Sequence, residues 1–364
     1  MRVLTVNAGS STLKLRVIDP DDEVEASLDV DPWDGSAQPE ALPAWLEDLG
    51  DVDAVGHRVV HGGDHFSTAV RIDDEVLAAI VDLTSLAPLH QPRSVAGIEM
   101  IRSVLPVTPT VACFDTAFHA RMPEAAATYA LPASWRQRWP LRRYGFHGLS
   151  HAWAARRSAE LVRHPVEDLR VVSCHLGAGA SLCAIQAGRS VDTTMGFTPL
   201  DGLVMATRSG SVDPGLVLWL LGEGGLGVGE VAHGLEHEAG LAGLAGGSGD
   251  MREIVAGVGR LDRDACLAYS VYVHRLRREI AAMAAALDGV DVLVFTGGIG
   301  EHQPTVRASG VAGLGFLGFA IDPVRNATAT DDADVTAAGN TASCCVVTSR
   351  EDLEIARNTR EALT

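Results

Sequence analysis

The residues in this sequence that could do chemistry cluster around small glycine-rich turns. The only lysine of the chain, Lys14, closes the run Asn7-Ala8-Gly9-Ser10-Ser11-Thr12-Leu13-Lys14, and every other one of the 29 basic residues is arginine. A compact ammonium beside a hydroxyl-rich turn suits a phosphate better than a planar guanidinium would. The alternative is chance in an arginine-biased composition. Further glycine turns occur at Gly177-Ala178-Gly179-Ala180 and Gly297-Gly298-Ile299-Gly300. None has the spacing of a P-loop or of a dinucleotide fingerprint. Two of them are expected to close β-hairpins, where backbone N–H groups would grip phosphate from two sides. The third reads as a strand entering a glycine turn, a further phosphate or nucleotide contact.

Other candidates are charged residues among apolar or small neighbours. In Gly56-His57-Arg58-Val59-Val60-His61-Gly62-Gly63, the histidines at 57, 61 and 65 have helical metal-ligand spacing, but the valine and glycine pairs argue for strand and loop. Arg58 is the better candidate, awaiting a carboxylate or phosphate, with an internal salt bridge as the alternative. Asp115 in Phe114-Asp115-Thr116-Ala117-Phe118-His119 follows a strand, a position for Mg²⁺, for catalysis or for a helix N-cap. His147 and His151 flank Gly148-Leu149-Ser150, where Ser150 could cap a helix over 151–163. Arg208 is the only cation of the charge-poor stretch 193–210, which reads as cleft-facing. A Ser–His–Asp triad lacks its nucleophile elbow.

The elements that must hold these residues alternate between β and α. Strands are expected at 2–7, 12–18, 24–30, 52–60 and 110–114, with helices at 73–85 and 92–104. A second strand–turn–strand unit spans 169–186. A long amphipathic helix over 261–287 leads into the strand 292–295, and a last helix covers 351–361. The reading is two α/β halves, each opening with a hairpin, with a cleft between them. The boundary falls soon after Asp115, and the last helix returns to the first half.

Composition narrows the function classes. The chain has 364 residues and a net charge of −18, which opposes nucleic-acid and anionic-membrane partners. Six cysteines without a C-x-x-C point away from disulfides and zinc and toward a reducing cytoplasm. No signal peptide or membrane-length apolar run is expected.

Together the segments Asn7–Ser11, Gly56–Gly63, Phe114–His119, Tyr144–Gly148, His175–Gly177, Met195–Leu200, Thr207–Gly210 and Phe295–Glu301 resemble the acetate kinase (acetokinase) family, in order and from residue 7 to about 356. The resemblance implies an α/β fold of two duplicated actin/sugar-kinase/Hsp70-like (ribonuclease H-like) domains with an interdomain active-site cleft. The expected domains are 1–116 plus 351–364, and 117–350 for nucleotide binding and dimerisation. It implies reversible MgATP-dependent phosphorylation of acetate to acetyl phosphate and ADP, in a cytoplasmic homodimer, with Mn²⁺ able to substitute for Mg²⁺.

Position by position, the resemblance assigns Asp115, His147 and Arg208 to catalysis. It assigns acetate binding to Arg58, with Val60, Leu89, Phe146 and Pro199 lining an apolar pocket. ATP contacts fall on Lys14, on His175, Leu176, Gly177, Ala178 and Gly179, on Asp250, Met251 and Arg252, and on Gly298, Ile299, Gly300, Glu301 and His302. Asn7 and Glu351 match metal positions. Ala178 and His302 each stand where the family has asparagine, Met251 replaces an aromatic, Thr12 replaces a serine, and the segment 19–50 is short. A propionate kinase of the same family, or a member with another phosphoryl donor, remains the alternative. A sugar kinase would need an Asp base and no carboxylate-binding arginine, and a chaperone would need a further domain.

Overall fold

Alternation of apolar residues makes the first strands. β1 (Val3–Ala8) and β2 (Leu13–Ile18) pair antiparallel, from Val3 opposite Ile18 to Ala8 opposite Leu13, and the Gly9 N–H closes the turn on the Thr12 carbonyl at 2.7 Å. The structure, a computed structural model, describes residues 1–9, 12–88 and 90–364. β3 (Val24–Val30) extends the hairpin. β4 (Ala54–Val59) then runs parallel to β1, and β6 (Thr110–Phe114) parallel to β4, with β5 (Val70–Arg71) as an antiparallel edge. The sheet order is β3-β2-β1-β4-β6-β5.

The second sheet repeats this topology. β7 (Arg170–Leu176), β8 (Ala180–Gln186) and β9 (Arg189–Thr193) form the antiparallel meander. β10 (Val292–Thr296) pairs parallel with β7, and β12 (Ser343–Val346) parallel with β10, with β11 (Ala333–Asp334) as the antiparallel edge. The order β9-β8-β7-β10-β12-β11 is that of the first sheet, strand for strand. The chain divides into two compact units. One comprises Met1–Arg121, Phe146–Trp153 and Arg350–Thr364; the other comprises Met122–Gly145 and Ala154–Ser349.

In the first unit, Leu4, Val6, Leu13, Leu15 and Val55 meet Leu42 of the Leu42–Leu49 helix and Ile101 of the Gln91–Val104 helix. The opposite face receives the closing helix, Glu351–Leu363, through Leu353 and Ala356 against Val3 and Ile18 and through Ile355 against Val111 and Cys113. Burying each such side chain contributes roughly 1.5–3 kcal/mol. The apolar stripe, rather than the many charges of that helix, therefore fixes it to the sheet. Gly56 is what lets it approach, since a Cβ there would overlap Thr359 Oγ1 and Ile355.

Two local expectations are corrected. The turn expected at 297–300 is a helix, Gly297–His302. The buried guanidinium of Arg307 donates from Nη1 to the carbonyls of Gly300 and Glu301 at 2.8 and 2.7 Å, a tertiary cap that outweighs the low helix propensity of glycine. Ser150 does not precede the helix as an N-cap would: it lies buried inside the Gly148–Val162 helix. That helix begins earlier because the Gly148 N–H finds the Asp115 carbonyl at 3.1 Å.

Three imidazoles of the first unit are held neutral by burial. His57 is pushed down to about 3, and His61 and His119 to about 4. The ordinary imidazole value is about 6.5, so below that pH the unfolded chain binds more protons than the folded one. Stability is therefore expected to be full above pH 6.5 and to fall as pH drops toward 4. Denaturant midpoints measured across this window check it; a flat profile would show that these rings are charged in the native state.

Candidate active site

Each unit carries its candidate residues at the carboxyl ends of its three parallel strands, the edge at which open α/β sheets bind ligands. In the first unit, Asn7 is near the end of β1, Arg58 near the end of β4, and Asp115 directly follows β6. Parallel pairing makes them neighbours: Val6 stands beside His57, and Val59 beside Phe114. The Asp115 N–H extends the ladder to the Val59 carbonyl at 3.0 Å.

The Arg58 guanidinium is the hub. Its Nε and Nη2 donate to the Asp115 carboxylate, the shortest contact being 2.7 Å. Its Nη1 donates to Asn7 Oδ1 at 3.2 Å and lies 3.8 Å from Glu351 Oε2. Asn7 Nδ2 donates to that same Glu351 oxygen at 2.8 Å. Burial acts against the charge on Arg58, but Asp115 and Glu351 more than restore it and raise its pKa. Burial likewise pushes the Asp115 carboxyl upward, and the Arg58 fork is the main pull against it. The salt-bridge alternative for Arg58 is thus what the structure holds, and the Asp115 side chain serves this pair rather than a helix cap. Glu351 opens the closing helix, where a carboxylate is favoured by the helix dipole.

Around this hub, Val60 and Phe146 are buried, whereas Leu89 lies outside the described residues, as do Ser10 and Ser11. His147 has φ 57°, the left-handed region, and its backbone N–H bonds the Asp115 carboxylate. The adjoining Gly148 is required, since a Cβ there would overlap the Asp115 carbonyl. His119 Nε2 meets the Phe146 carbonyl at 3.1 Å, so that nitrogen carries the proton and anchors the segment. Sequence reasoning missed Gln91, which is fully buried and donates to the His61 and Ile80 carbonyls. It fixes His61, whose ring meets the Phe146 ring edge-on at 5.5 Å. Lys14 is exposed on β2, paired across the strands with Asn7 and Asp29.

In the second unit, the turn after β7 is closed by the Gly177 N–H on the Gly179 carbonyl at 2.9 Å. With Asp250, Met251, Gly298 and His302 it lines a cavity of about 480 Å³. Asp250 caps the Met251–Gly259 helix and pairs with Arg252 at 2.5 Å. Met251 is buried, Arg252 and His302 are exposed, and the Glu301 carboxylate accepts from the Ser349 N–H at 3.0 Å. His175 is the next-to-last residue of β7.

Arg208 has fewer partners than Arg58 or Arg307. Its Nη1 donates to the Pro199 carbonyl at 3.0 Å and touches Met205 Sδ at 3.7 Å. Among the described residues it has no carboxylate within ion-pair reach. Burial lowers its pKa, against the pull of Glu236. A partly buried cation held only by a carbonyl and a thioether is set up to receive an anion.

The donors Asn7 Oδ1, Asp115 and Glu351 are hard oxygens gathered in one place, as a Mg²⁺ ion that keeps most of its waters would need. Among the described residues no group of three or more His, Cys, Asp or Glu side chains forms a metal site, and none forms a membrane-crossing helix.

Comparison with known proteins agrees with this architecture. Residues 40–357 match the model of the acetokinase family. An acetate kinase of Synechococcus sp. is 49% identical over 311 residues, 85% of this chain and 77% of that one. The crystal structure of Porphyromonas gingivalis acetate kinase superposes with a TM-score of 0.91 at 34% identity, covering 100% of both chains. A propionate kinase of Francisella tularensis gives 0.91 at 34%, covering 99% of both.

Removing Asp115 from the pair leaves the Arg58 charge with only Glu351, at 3.8 Å, to offset it. Asp115→Ala is expected to cost about 3–5 kcal/mol in urea unfolding. An Asp115→Ala protein as stable as the wild type would show that the pair is solvated.

Proposed function

Because the chain belongs to the acetokinase family, we propose that it transfers the γ-phosphoryl group of ATP reversibly to acetate, giving acetyl phosphate and ADP. Arg208 is the observation that carries this reading. A partly buried guanidinium without an internal anion suits the equatorial oxygens of a transferring phosphoryl group.

The acid needs no general base, since a carboxylate is already anionic near neutral pH. The difficulty is bringing two anions together, so the site needs fixed cations. Arg58 meets the acetate carboxylate through Nη1, the edge that Asp115 leaves free. His147 and Arg208 take up charge that develops on the phosphoryl group. Asp115 is bound into the Arg58 fork and does not act as a base. Asn7, Asp115 and Glu351 would hold Mg²⁺, which when bound neutralises phosphate charge. The nucleotide takes the second-unit cavity, with the backbone of Gly177 and Ala178 supplying donors. Six free cysteines support a reducing cytoplasm. The uncovered Pro214–Leu221 helix supports a homodimer.

Val60 and Phe146 set the length of the acid. One methylene discriminates by only about 1–3 kcal/mol, so propionate is expected to be a real but poorer substrate. Trapping acyl phosphate with hydroxylamine, while varying acid and donor, tests the reaction. Acyl hydroxamate from acetate and ATP is expected. None with any short acid and ATP, GTP or pyrophosphate would overturn the reading, and butyrate surpassing acetate would overturn the pocket assignment. Arg208→Ala is expected to fold and to lose about 10³–10⁵ in kcat, the scale of an arginine finger. Near-normal turnover in that variant would remove its role.

A further inference from the structure

The second-unit cavity, about 480 Å³, offers different chemistry along its length. Gly177 and Gly298 stand just past β7 and β10, at the carboxyl edge of the sheet, and bring only backbone to it. The Gly297–His302 helix runs from there, and its six residues span about 9 Å. His302 and Gln303 line the cavity at the far end of that helix. With phosphate at the glycine turn, a ribose fits between and the base falls beside residue 303. Met251, buried, and Ile299, half-buried, give the lining an apolar surface for a flat ring.

Most polar side chains of the lining are already committed. Ser248 Oγ donates to Glu253 Oε2 at 2.9 Å and accepts from the Asp250 N–H at 3.2 Å. Asp250 accepts from the Arg252 N–H and from the Arg252 guanidinium. His302 is an exposed ring whose two nitrogens point in different directions, so it offers only one of them to a given base edge. The half-buried Gln303 amide makes no hydrogen bond to another described residue. It carries a donor and an acceptor side by side. Its backbone, by contrast, is held on both sides. The Gln303 N–H donates to the Ile299 carbonyl at 3.0 Å, and the Gln303 carbonyl accepts from the Val306 and Arg307 N–H groups at 3.0 and 3.2 Å. Pro304 keeps residue 303 out of the helical region. A fixed backbone that presents an uncommitted amide is preorganised for recognition.

Adenine shows the pattern that an amide complements, a 6-amino donor beside a ring-nitrogen acceptor, on both sides of that amino group. Guanine sets two acceptors, O6 and N7, on one of the corresponding edges, where the amide oxygen would face an acceptor. We infer that Gln303 reads the base of the bound nucleotide, with Oε1 accepting from the adenine 6-amino group and Nε2 donating to the neighbouring ring nitrogen, and so selects ATP over GTP. This rests on the proposed placement of the nucleotide in this cavity. Gln303 determines specificity only: the length of a helix separates it from the phosphate end, and turnover does not depend on it.

Calorimetry with ATP and with GTP, and initial rates of acyl phosphate formation with each, test the inference on the full chain. The wild type is expected to bind ATP about tenfold or more tighter than GTP, the worth of one bidentate pair. Gln303→Leu removes both halves of the amide, whereas Gln303→Glu keeps its shape and acceptor and loses the donor. Both are expected to weaken ATP binding about tenfold and to abolish the preference, with GTP bound no more weakly, which also reports that they fold. Both are expected to keep the wild-type kcat and KM for acetate. A wild type without preference, variants that keep it, or variants that weaken ATP and GTP alike would each overturn the inference. A Gln303-dependent preference for ATP in a protein that forms no acyl phosphate would overturn the proposed reaction and leave the base recognition standing. Acyl phosphate formed from ATP and GTP with equal KM would do the reverse.

Discussion

A guanidinium and a carboxylate taken out of water must meet in good geometry or not be buried at all, and Arg58 and Asp115 impose that constraint on the first unit. Such a pair adds little net stability, because desolvation offsets the attraction. What it does is fix positions. β4 and β6 must be adjacent and parallel for Asp115 to reach the Arg58 fork, and β1 must lie alongside to bring Asn7 to Nη1. The end of the chain must return, because Glu351 completes the network and the helix it opens covers the sheet. Glycine at 56 and at 148 is the steric condition for this closeness.

The same topology, built twice, gives two different chemistries. In the first unit the carboxyl edge presents charged side chains locked to one another. In the second it presents a backbone turn, a short helix and an open cavity of about 480 Å³. The difference follows from what stands at the strand ends: Asn7 and Arg58 in one, Gly177 and Gly297 in the other.

Three buried or partly buried arginines show how partners separate structure from function. Arg307 is saturated by carbonyls and the Asn326 amide, and it holds a helix in place. Arg58 is paired with the Asp115 carboxylate and turns Nη1 toward Asn7 and Glu351. Arg208 has only one carbonyl and a sulfur. Arg307 is thus satisfied within the protein, and Arg208 has fewer partners than its donors could take.

Much of this was legible in the residues. Period-two alternation gave the hairpins, helical periodicity gave the 263–286 helix, and the quoted motifs gave the family and the strand-end residues. These signals are local, carried by neighbours in the chain. Their partners were not legible. That Arg58 would hold Asp115, that Gly297–His302 would be helical under an Arg307 cap, and that Gln91 would fix His61 depend on residues brought together from distant positions. The sequence by itself determined which side chains were available and on which elements they lay. Only the tertiary structure decided which cation is neutralised by a carboxylate within the protein and which is not, because burial and partner distance set that balance.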